Sequence, residues 1–117
     1  MNREYEELKP ISQADAMEAL ASSDNNRIRD ALVRWALSSE DWRPVQAECL
    51  RLLAHPDAGL RGVAAISLSH LARIHRTLDR KEVTEALQAL ASDPEMGGQA
   101  EMALDDIRLF IPTATAE

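Results

Sequence analysis

The stretch that decides the fold is "LAHPDAGLRGVAAISLSHLARIHRTLDR", residues 53–80. Within it Leu60, Ala64, Leu68 and Leu71 recur at spacings of three and four, which is the period of an amphipathic helix. Asp57 stands before this run, where a carboxylate can accept hydrogen bonds from the first free N–H groups of a helix. The stretch therefore predicts a long helix that begins just after a short Asp/Pro turn.

The rest of the chain is also predicted to be helical. There is no sustained period-2 alternation, no Asn-Gly or Asp-Gly hairpin turn, and only 3% of the residues are aromatic, which argues against strands. Capping residues open six segments: Ser12, Asp24 or Asn26, Asp41, Asp57, Asp79 (with Glu82 as a capping box) and Asp93 followed by Pro94. We expect helices over 13–22, 27–38, 43–55, 59–77, 81–92 and 97–110, with a short seventh over 3–9 as an open alternative.

Three pairs of these helices resemble one another in sequence. "ECLRLLA" (48–54) aligns with "EALQALA" (85–91) at a shift of 37, and Gly62, Ala64 and Leu68 fall on Gly98, Ala100 and Leu104 at a shift of 36. A weaker first copy places Arg29 on Arg61 at a shift of 32. A repeat of this length, built from helix-turn-helix units, is typical of an α-solenoid.

The stretch "LAHPDAGLRGVAAISLSHLA" (53–72) resembles the HEAT-repeat consensus, in which a short Asp/Pro turn leads into a helix with an arginine near its start. The resemblance implies an all-α, right-handed solenoid of about three hairpins, at 13–38, 43–77 and 81–110, in one domain of 1–117 with a flexible tail over 111–117. It also implies that Arg61 pairs with a carboxylate of the adjacent repeat. Gly97 replaces this arginine in the third copy. The architecture does not by itself define an activity.

No catalytic or metal-binding pattern is found in the sequence. His70 and His75 are five residues apart and so lie about 140° apart around a helix, whereas a helical metal pair needs a spacing of four. His55 is the third and last histidine, and no nucleophile elbow or Gly-rich phosphate loop occurs. Cys49, the single cysteine, lies in an apolar helical context that predicts a buried side chain. We therefore expect no metal, no cofactor and no enzymatic activity.

Charge is unevenly distributed along the chain. The net charge is −7, which argues against a nucleic-acid backbone as the main partner. Residues 59–81 carry five bases and one acid, whereas residues 82–106 carry seven acids and no base. Met102, Ile107 and Phe110 are expected to pack inward behind these acids or to cap the end of the solenoid. Since carboxylate arrays steer basic partners, we predict a protein-binding face with Trp42 as an aromatic anchor: Trp42, Glu82, Glu85, Glu95, Glu101, Asp105 and Asp106.

The arginines of the opening stretch form a predicted secondary basic ridge: Arg61, Arg73, Arg76 and Arg80. Two simpler interpretations remain open at this point. The acids can be the solvated outer surface of a terminal repeat, with the arginines compensating them. Trp42 can be a hydrophobic staple at a helix entrance.

A small, acidic, all-helical chain of this kind resembles bacterial immunity proteins, which neutralise a toxin by covering its active site. The resemblance implies a non-catalytic protein that binds a toxin through an acidic face, for example a nuclease with a basic cleft. The alternative is a HEAT-like scaffold or adaptor subunit of a larger assembly. A HEAT enzyme of the DNA-glycosylase type is disfavoured, since the basic set is one short island.

The N-terminal "MNREYEELKP" has no apolar signal core and no run is long enough to cross a membrane, so we expect a cytoplasmic protein with no membrane partner. We expect a monomer or weak dimer. Whether the third repeat closes the solenoid or self-associates is open.

Overall fold

Six helices joined by short turns make up the part of the chain that the computed structural model describes, residues 9–112. They are α1 (Gln13–Leu20), α2 (Asn25–Ser38), α3 (Trp42–Leu52), α4 (Ala58–His75), α5 (Arg80–Leu90) and α6 (Gly97–Phe110). The all-α fold and the six predicted helices are confirmed, with helix starts within two residues of the prediction. The short helix considered over 3–9 lies outside the described residues except for residue 9. Of the predicted tail over 111–117, residues 113–117 lie outside them.

Four of the predicted capping residues begin their helices as expected. Ser12, Asp24, Asp41 and Asp57 each accept a hydrogen bond from a backbone N–H two or three residues later, at 3.0–3.1 Å. These bonds satisfy N–H groups that have no partner within the helix. Local sequence therefore specifies where α1, α2, α3 and α4 begin.

The capping box predicted at Asp79 is wrong. Asp79 accepts a hydrogen bond from Gln46 Nε2 at 2.8 Å and donates its own N–H to Gln46 Oε1 at 2.9 Å, and its side chain makes no capping bond within α5. Gln46 is a buried polar residue of α3, so this reciprocal pair satisfies it. The start of α5 is thus fixed by a contact with α3 rather than by its own sequence.

The N-cap role predicted for Asp93, with Pro94 as the first helical residue, is wrong, although the helix begins at residue 97 as its predicted range 97–110 requires. Asp93 Oδ1 accepts hydrogen bonds from the N–H groups of Glu95 and Met96, both at 2.8 Å, and the Asp93 carbonyl accepts from Gly97 N–H at 3.0 Å. Residues 94–96 form a turn, and α6 begins only at Gly97. Asp93 therefore closes the turn that leads into α6 without being its N-cap.

Helix α4 lies at the centre of the molecule. α1 packs on α2, α3 on α4 and α5 on α6, while α2 and α6 both pack against α4. Buried residues of α4 include many small side chains, among them Gly62, Ala65 and Ser69. A Cβ on Gly62 would lie only 2.6 Å from Met96 Sδ. Small residues therefore let the neighbouring hairpin approach α4 closely, and the core assembles around it.

The resulting molecule measures 44 × 30 × 29 Å. Its core contains Trp35, Leu32, Cys49, Leu68 and Ile107, each at most 2% exposed. None of the helices within residues 9–112 combines the length and apolar character that crossing a membrane requires. The right-handed HEAT-like solenoid goes beyond this six-helix arrangement and stays a prediction.

Candidate functional site

Arg61, predicted as part of the basic ridge, lies in a network that joins two turns. Its side chain is 16% exposed, and Nε donates to Asp93 Oδ2 at 3.0 Å. Nη1 donates to the carbonyls of His55 and Pro56, both at 2.9 Å, and Nη2 lies 3.6 Å from Glu95 Oε1. Arg61 therefore ties the turn before α4 to the turn before α6, and its guanidinium is used inside the molecule.

Asp93 is the acidic centre of this network. Hydrogen bonds from the backbone N–H groups of Met96 and Glu95, and then from the Arg61 guanidinium, hold the pKa of the Asp93 carboxyl below its usual value. Each of these donors favours the charged carboxylate. The carboxylate that accepts from Arg61 thus also holds the turn into α6.

The other three arginines of the predicted basic ridge each contact a different residue. Arg73 Nη1 lies 3.1 Å from His70 Nδ1 within α4. Arg76 ends α4 in the left-handed conformation, with φ 58°, and its guanidinium carbon lies 5.2 Å from the centre of the Phe110 ring. Arg80 Nε donates to the carbonyl of Ile111 at 2.9 Å. The structure therefore places Arg76 and Arg80 at the C-terminal end of α6 and Arg61 near its start.

Ile111, with which the predicted tail over 111–117 begins, packs into the core. It is 9% exposed, and its N–H donates to the Ile107 carbonyl at 2.8 Å. With the bond from Arg80 to its carbonyl, this residue continues the folded part of the chain beyond α6. Residues 113–117 lie outside the described range.

The predicted acidic residues divide into paired and unpaired groups. Lys81 Nζ lies 3.2 Å from Glu85 Oε2, and Arg108 Nη1 lies 2.6 Å from Asp105 Oδ1. Glu95 faces Arg61, as described above. No ion pair within residues 9–112 involves Glu82, Glu101 or Asp106. The segment without bases thus draws counter-charges from outside itself, and the pairing of Glu95 with Arg61 agrees with the open interpretation that arginines of the basic ridge compensate these acids.

Trp42 and Glu82 lie together, away from α6. They line a groove between α3 and α5 together with Arg43, Leu50 and Asp79. Trp42 is the first residue of α3, is half-buried against the core, and has the Arg43 guanidinium carbon 4.8 Å from the centre of its ring. The predicted anchor is therefore partly covered already, by its own neighbour Arg43.

The exposed side of α6 carries the other acids together with apolar side chains. Glu101 and Asp105 are exposed, and Asp106 is half-buried. Between them Met102 is 50% exposed and Leu109 is 69% exposed. The prediction that Met102 packs inward is wrong, since the buried side of α6 is formed by Ala100, Ala103, Leu104 and Ile107. Ile107 and Phe110 do pack against the core.

The histidines and the cysteine do not form a reactive group. His55 Nδ1 accepts a hydrogen bond from the Asp57 N–H at 2.9 Å. Burial and the neighbouring Arg73 charge lower the pKa of His70, and the Asp106 carboxylate from α6 partly offsets this. Cys49 is fully buried, and burial strongly raises the pKa of its thiol, which leaves little thiolate to react. No group of three or more His, Cys, Asp or Glu in residues 9–112 is arranged to hold a metal ion.

These features define a small all-helical protein whose exposed face on α6 combines apolar and acidic side chains. No family model and no curated protein sequence matches the chain. It is similar to a chain in the crystal structure of a CDI complex from Cupriavidus taiwanensis LMG 19424, with 31% sequence identity and a TM-score of 0.78 over 86% of this chain and 91% of that one. The chain belongs to the same family as that component of the CDI complex.

Proposed function

We propose that this chain is the immunity protein of a contact-dependent inhibition (CDI) toxin–immunity pair, and that it neutralises its toxin by binding it in the cytoplasm. The observation that carries the proposal is the 31% identity to a component of a CDI complex over 91% of that component's length. That component is one chain of the CDI complex. Because this chain is similar to it in fold and sequence, we expect a partner of the same kind.

The immunity role, rather than the toxin role, is supported by the side chains of the described residues. A toxin that acts as an enzyme needs a nucleophile or an acid–base pair in a cleft. Here the Cys49 thiol is buried, and His55 and His70 are engaged with Asp57 N–H and Arg73. A protein with this arrangement acts by binding.

The charge of the chain supports a basic partner. The net charge is −7, and acids without an ion-pair partner within residues 9–112 lie on both α5 and α6. A toxin that cleaves nucleic acid needs a basic cleft, and an acidic protein that covers the cleft blocks substrate by complementarity. The proposed binding surface therefore lies among the acids of α5 and α6, at the groove of Trp42 and Glu82 or on the exposed face of α6, and the arginines of the basic ridge have a secondary role.

The HEAT-like solenoid is part of the same proposal. It is supported by the order of packing, in which α2, α4 and α6 lie side by side and each is paired with the helix before it. It is also supported by Arg29, which aligns with Arg61: its Nη2 lies 2.8 Å from the point that a Cβ on Gly59 would occupy, and Asp57 Oδ2 lies 3.1 Å from that point. Arg29 thus reaches the turn before α4 as Arg61 reaches the turn before α6.

Co-expression with the cognate toxin domain tests the proposal. We expect the two proteins to co-purify as a stable complex, and cells that express the toxin domain to grow only when this chain is also present. An adaptor subunit would instead co-purify with a larger assembly and leave the cells unprotected. Growth arrest that persists despite equal amounts of both proteins would overturn the immunity role.

A further inference from the structure

The large apolar side chains that remain exposed are concentrated on two neighbouring helices. Within residues 9–112 there are four such side chains: Met17 (39%), Ile74 (45%), Met102 (50%) and Leu109 (69%). Three of them lie on α4 or α6, and only Met17 lies elsewhere, on α1. Clustered exposed apolar side chains mark binding surfaces, whereas scattered ones do not.

Three contacts along their length show that α4 and α6 run side by side in the same direction. Near their starts, Met96 lies against Gly62. In the middle, the Asp106 carboxylate acts on His70. At their ends, Arg76 lies over Phe110. Ile74, two residues before Arg76, is therefore level with the last turns of α6, where Leu109 is exposed.

The spacing on α6 places its apolar and acidic residues on one side. Met102, Asp105, Asp106 and Leu109 are separated by three, one and three residues, so they share one face of a helix. Residues buried in the core lie on the opposite side. With Glu101 at its edge, this face carries three carboxylates, and Arg108 is the only base of α6.

We infer that the toxin docks on the exposed face of α4 and α6, with Ile74, Met102 and Leu109 as apolar anchors and the carboxylates of α6 aligning a basic toxin domain. This inference rests on the proposed function and makes it more specific. Apolar anchors within a rim of charge are the usual anatomy of a specific interface, and the anchors carry most of the affinity.

A second copy of this chain fits the same face less well. In a two-fold dimer each patch meets its own counterpart, so Glu101, Asp105 and Asp106 would be opposed to carboxylates of the other copy. Like charges facing each other across an interface are unfavourable. A basic partner instead places positive charges opposite these carboxylates, so the interaction across the interface is attractive.

The groove at Trp42 is the competing docking surface. Its aromatic side chain is already covered in part by Arg43, and Glu82 is one carboxylate among side chains that include Arg43. This groove offers neither exposed large aliphatic side chains nor a cluster of acids. The face of α4 and α6 offers both, and this is why we place the toxin there.

Calorimetric titration of the chain with the purified cognate toxin domain compares the two surfaces. The double variant Met102→Ser/Leu109→Ser should bind at least about 30-fold more weakly than the wild type, the effect expected for loss of interface hot spots. Met17→Ser, the matched control on α1, should bind within about twofold of the wild type. Thermal unfolding of each variant checks that it is folded, since exposed substitutions are expected to change stability little.

Each outcome bears on the inference. Unchanged binding by the α6 double variant overturns it, and so does a comparable loss confined to Trp42→Ala/Glu82→Lys, although the immunity role would then stand. A wild-type dimer that Leu109→Ser dissociates would assign the face to a second copy. Failure of the wild type to bind the toxin domain overturns the proposed function itself, and the inference with it.

A charge-reversed variant tests the acidic rim separately from the apolar anchors. Glu101→Lys/Asp105→Lys/Asp106→Lys should slow association by at least about tenfold at low salt, because steering of a basic partner is lost. The matched reversal Asp15→Lys/Glu18→Lys on α1 should leave the rate within about twofold. An association rate that the α6 reversal does not change would contradict the charge complementarity.

Discussion

Gly97 and Gly98 are neighbours at the start of α6, yet only one of them requires the absence of a side chain. A Cβ on Gly97 would lie 2.5 Å from the carbonyl oxygen of Ala91, whereas a Cβ on Gly98 would have no neighbour within 4 Å. The carbonyl oxygen of Ala91 is a backbone atom, so it cannot move aside by a change of side-chain rotamer. Gly97 therefore occupies the repeat position of Arg61 because the turn before α6 leaves no room for a side chain.

We predict opposite effects of alanine at these two positions. Gly97→Ala should lower the free energy of unfolding by about 1–3 kcal/mol, as expected when a group is forced into an occupied space. Gly98→Ala should raise it by about 0.5–1 kcal/mol, because alanine is the better helix former and restricts the unfolded chain. Urea unfolding followed by circular dichroism measures both. Equal effects would mean that the close approach to Ala91 is wrong.

Asp93 makes the free energy of unfolding depend on pH. The folded pKa of this carboxyl is lowered from 3.8, so its stabilising contribution is complete above the unfolded value and is lost as the pH falls through the folded value. We predict that Asp93→Asn is less stable than the wild type at pH 6 and that the difference shrinks as the pH falls below the unfolded value of 3.8 and through the lower folded pKa.

Urea unfolding of the wild type and Asp93→Asn at several pH values measures this. Asp105→Asn is the matched control, since its partner Arg108 is exposed and exposed pairs contribute about 0–1 kcal/mol. A difference between wild type and Asp93→Asn that does not shrink at any pH below 3.8 would contradict the role of the charge.

At the scale of the element, α4 ends at a residue whose backbone conformation is energetically unfavourable. Arg76 has φ 58°, a left-handed conformation that glycine adopts freely and other residues do not. Its side chain compensates in part by lying over the Phe110 ring. The end of the central helix thus combines local strain with a contact to α6.

Two variants separate the strain from the contact. Arg76→Ala and Arg76→Gly both remove the interaction with Phe110, but only glycine relieves the left-handed backbone. We predict that Arg76→Gly is more stable than Arg76→Ala by about 1 kcal/mol, measured as the difference in unfolding free energy. If alanine is as stable as glycine, the left-handed end of α4 is not present in solution.

The elements themselves could be predicted from sequence because their signals are local. Apolar spacing and the caps at Ser12, Asp24, Asp41 and Asp57 lie within a few residues of each helix start, and the structure agrees with them. The error at Asp79 has a different origin. Its partner Gln46 is 33 residues away, and no pattern within a single segment reports such a contact.

The candidate site was harder to predict than the helices. Charge counted along the sequence placed Glu82, Glu85 and Glu101 in one acidic segment. In the structure Glu82 and Glu85 lie on α5 whereas Glu101 lies on α6, and Lys81 pairs with Glu85. Met102 was expected in the core because methionine is apolar, although its position relative to Ala103 and Ile107 places it on the opposite side of α6. A helical projection of α6 alone would have identified its exposed apolar residues.

At the scale of the whole molecule, three hairpins assemble around α4 and leave one side of α4 and α6 uncovered. Arg61 and Asp93 join the second and third hairpins at one end, and the contact of Arg76 with the Phe110 ring joins α4 to α6 at the other end. A surface held at both ends is preorganised, so binding there costs little ordering of the chain. This rigidity suits a protein whose proposed task is to bind one partner tightly.

Titration of the toxin domain's activity with increasing amounts of this chain tests the central claim most directly. If the chain is the immunity protein and acts by binding, activity should fall in proportion to added chain and vanish at about one equivalent, as expected for a tight complex. The Met17→Ser control should give the same endpoint as the wild type. Full toxin activity in the presence of excess wild-type chain would contradict the claim.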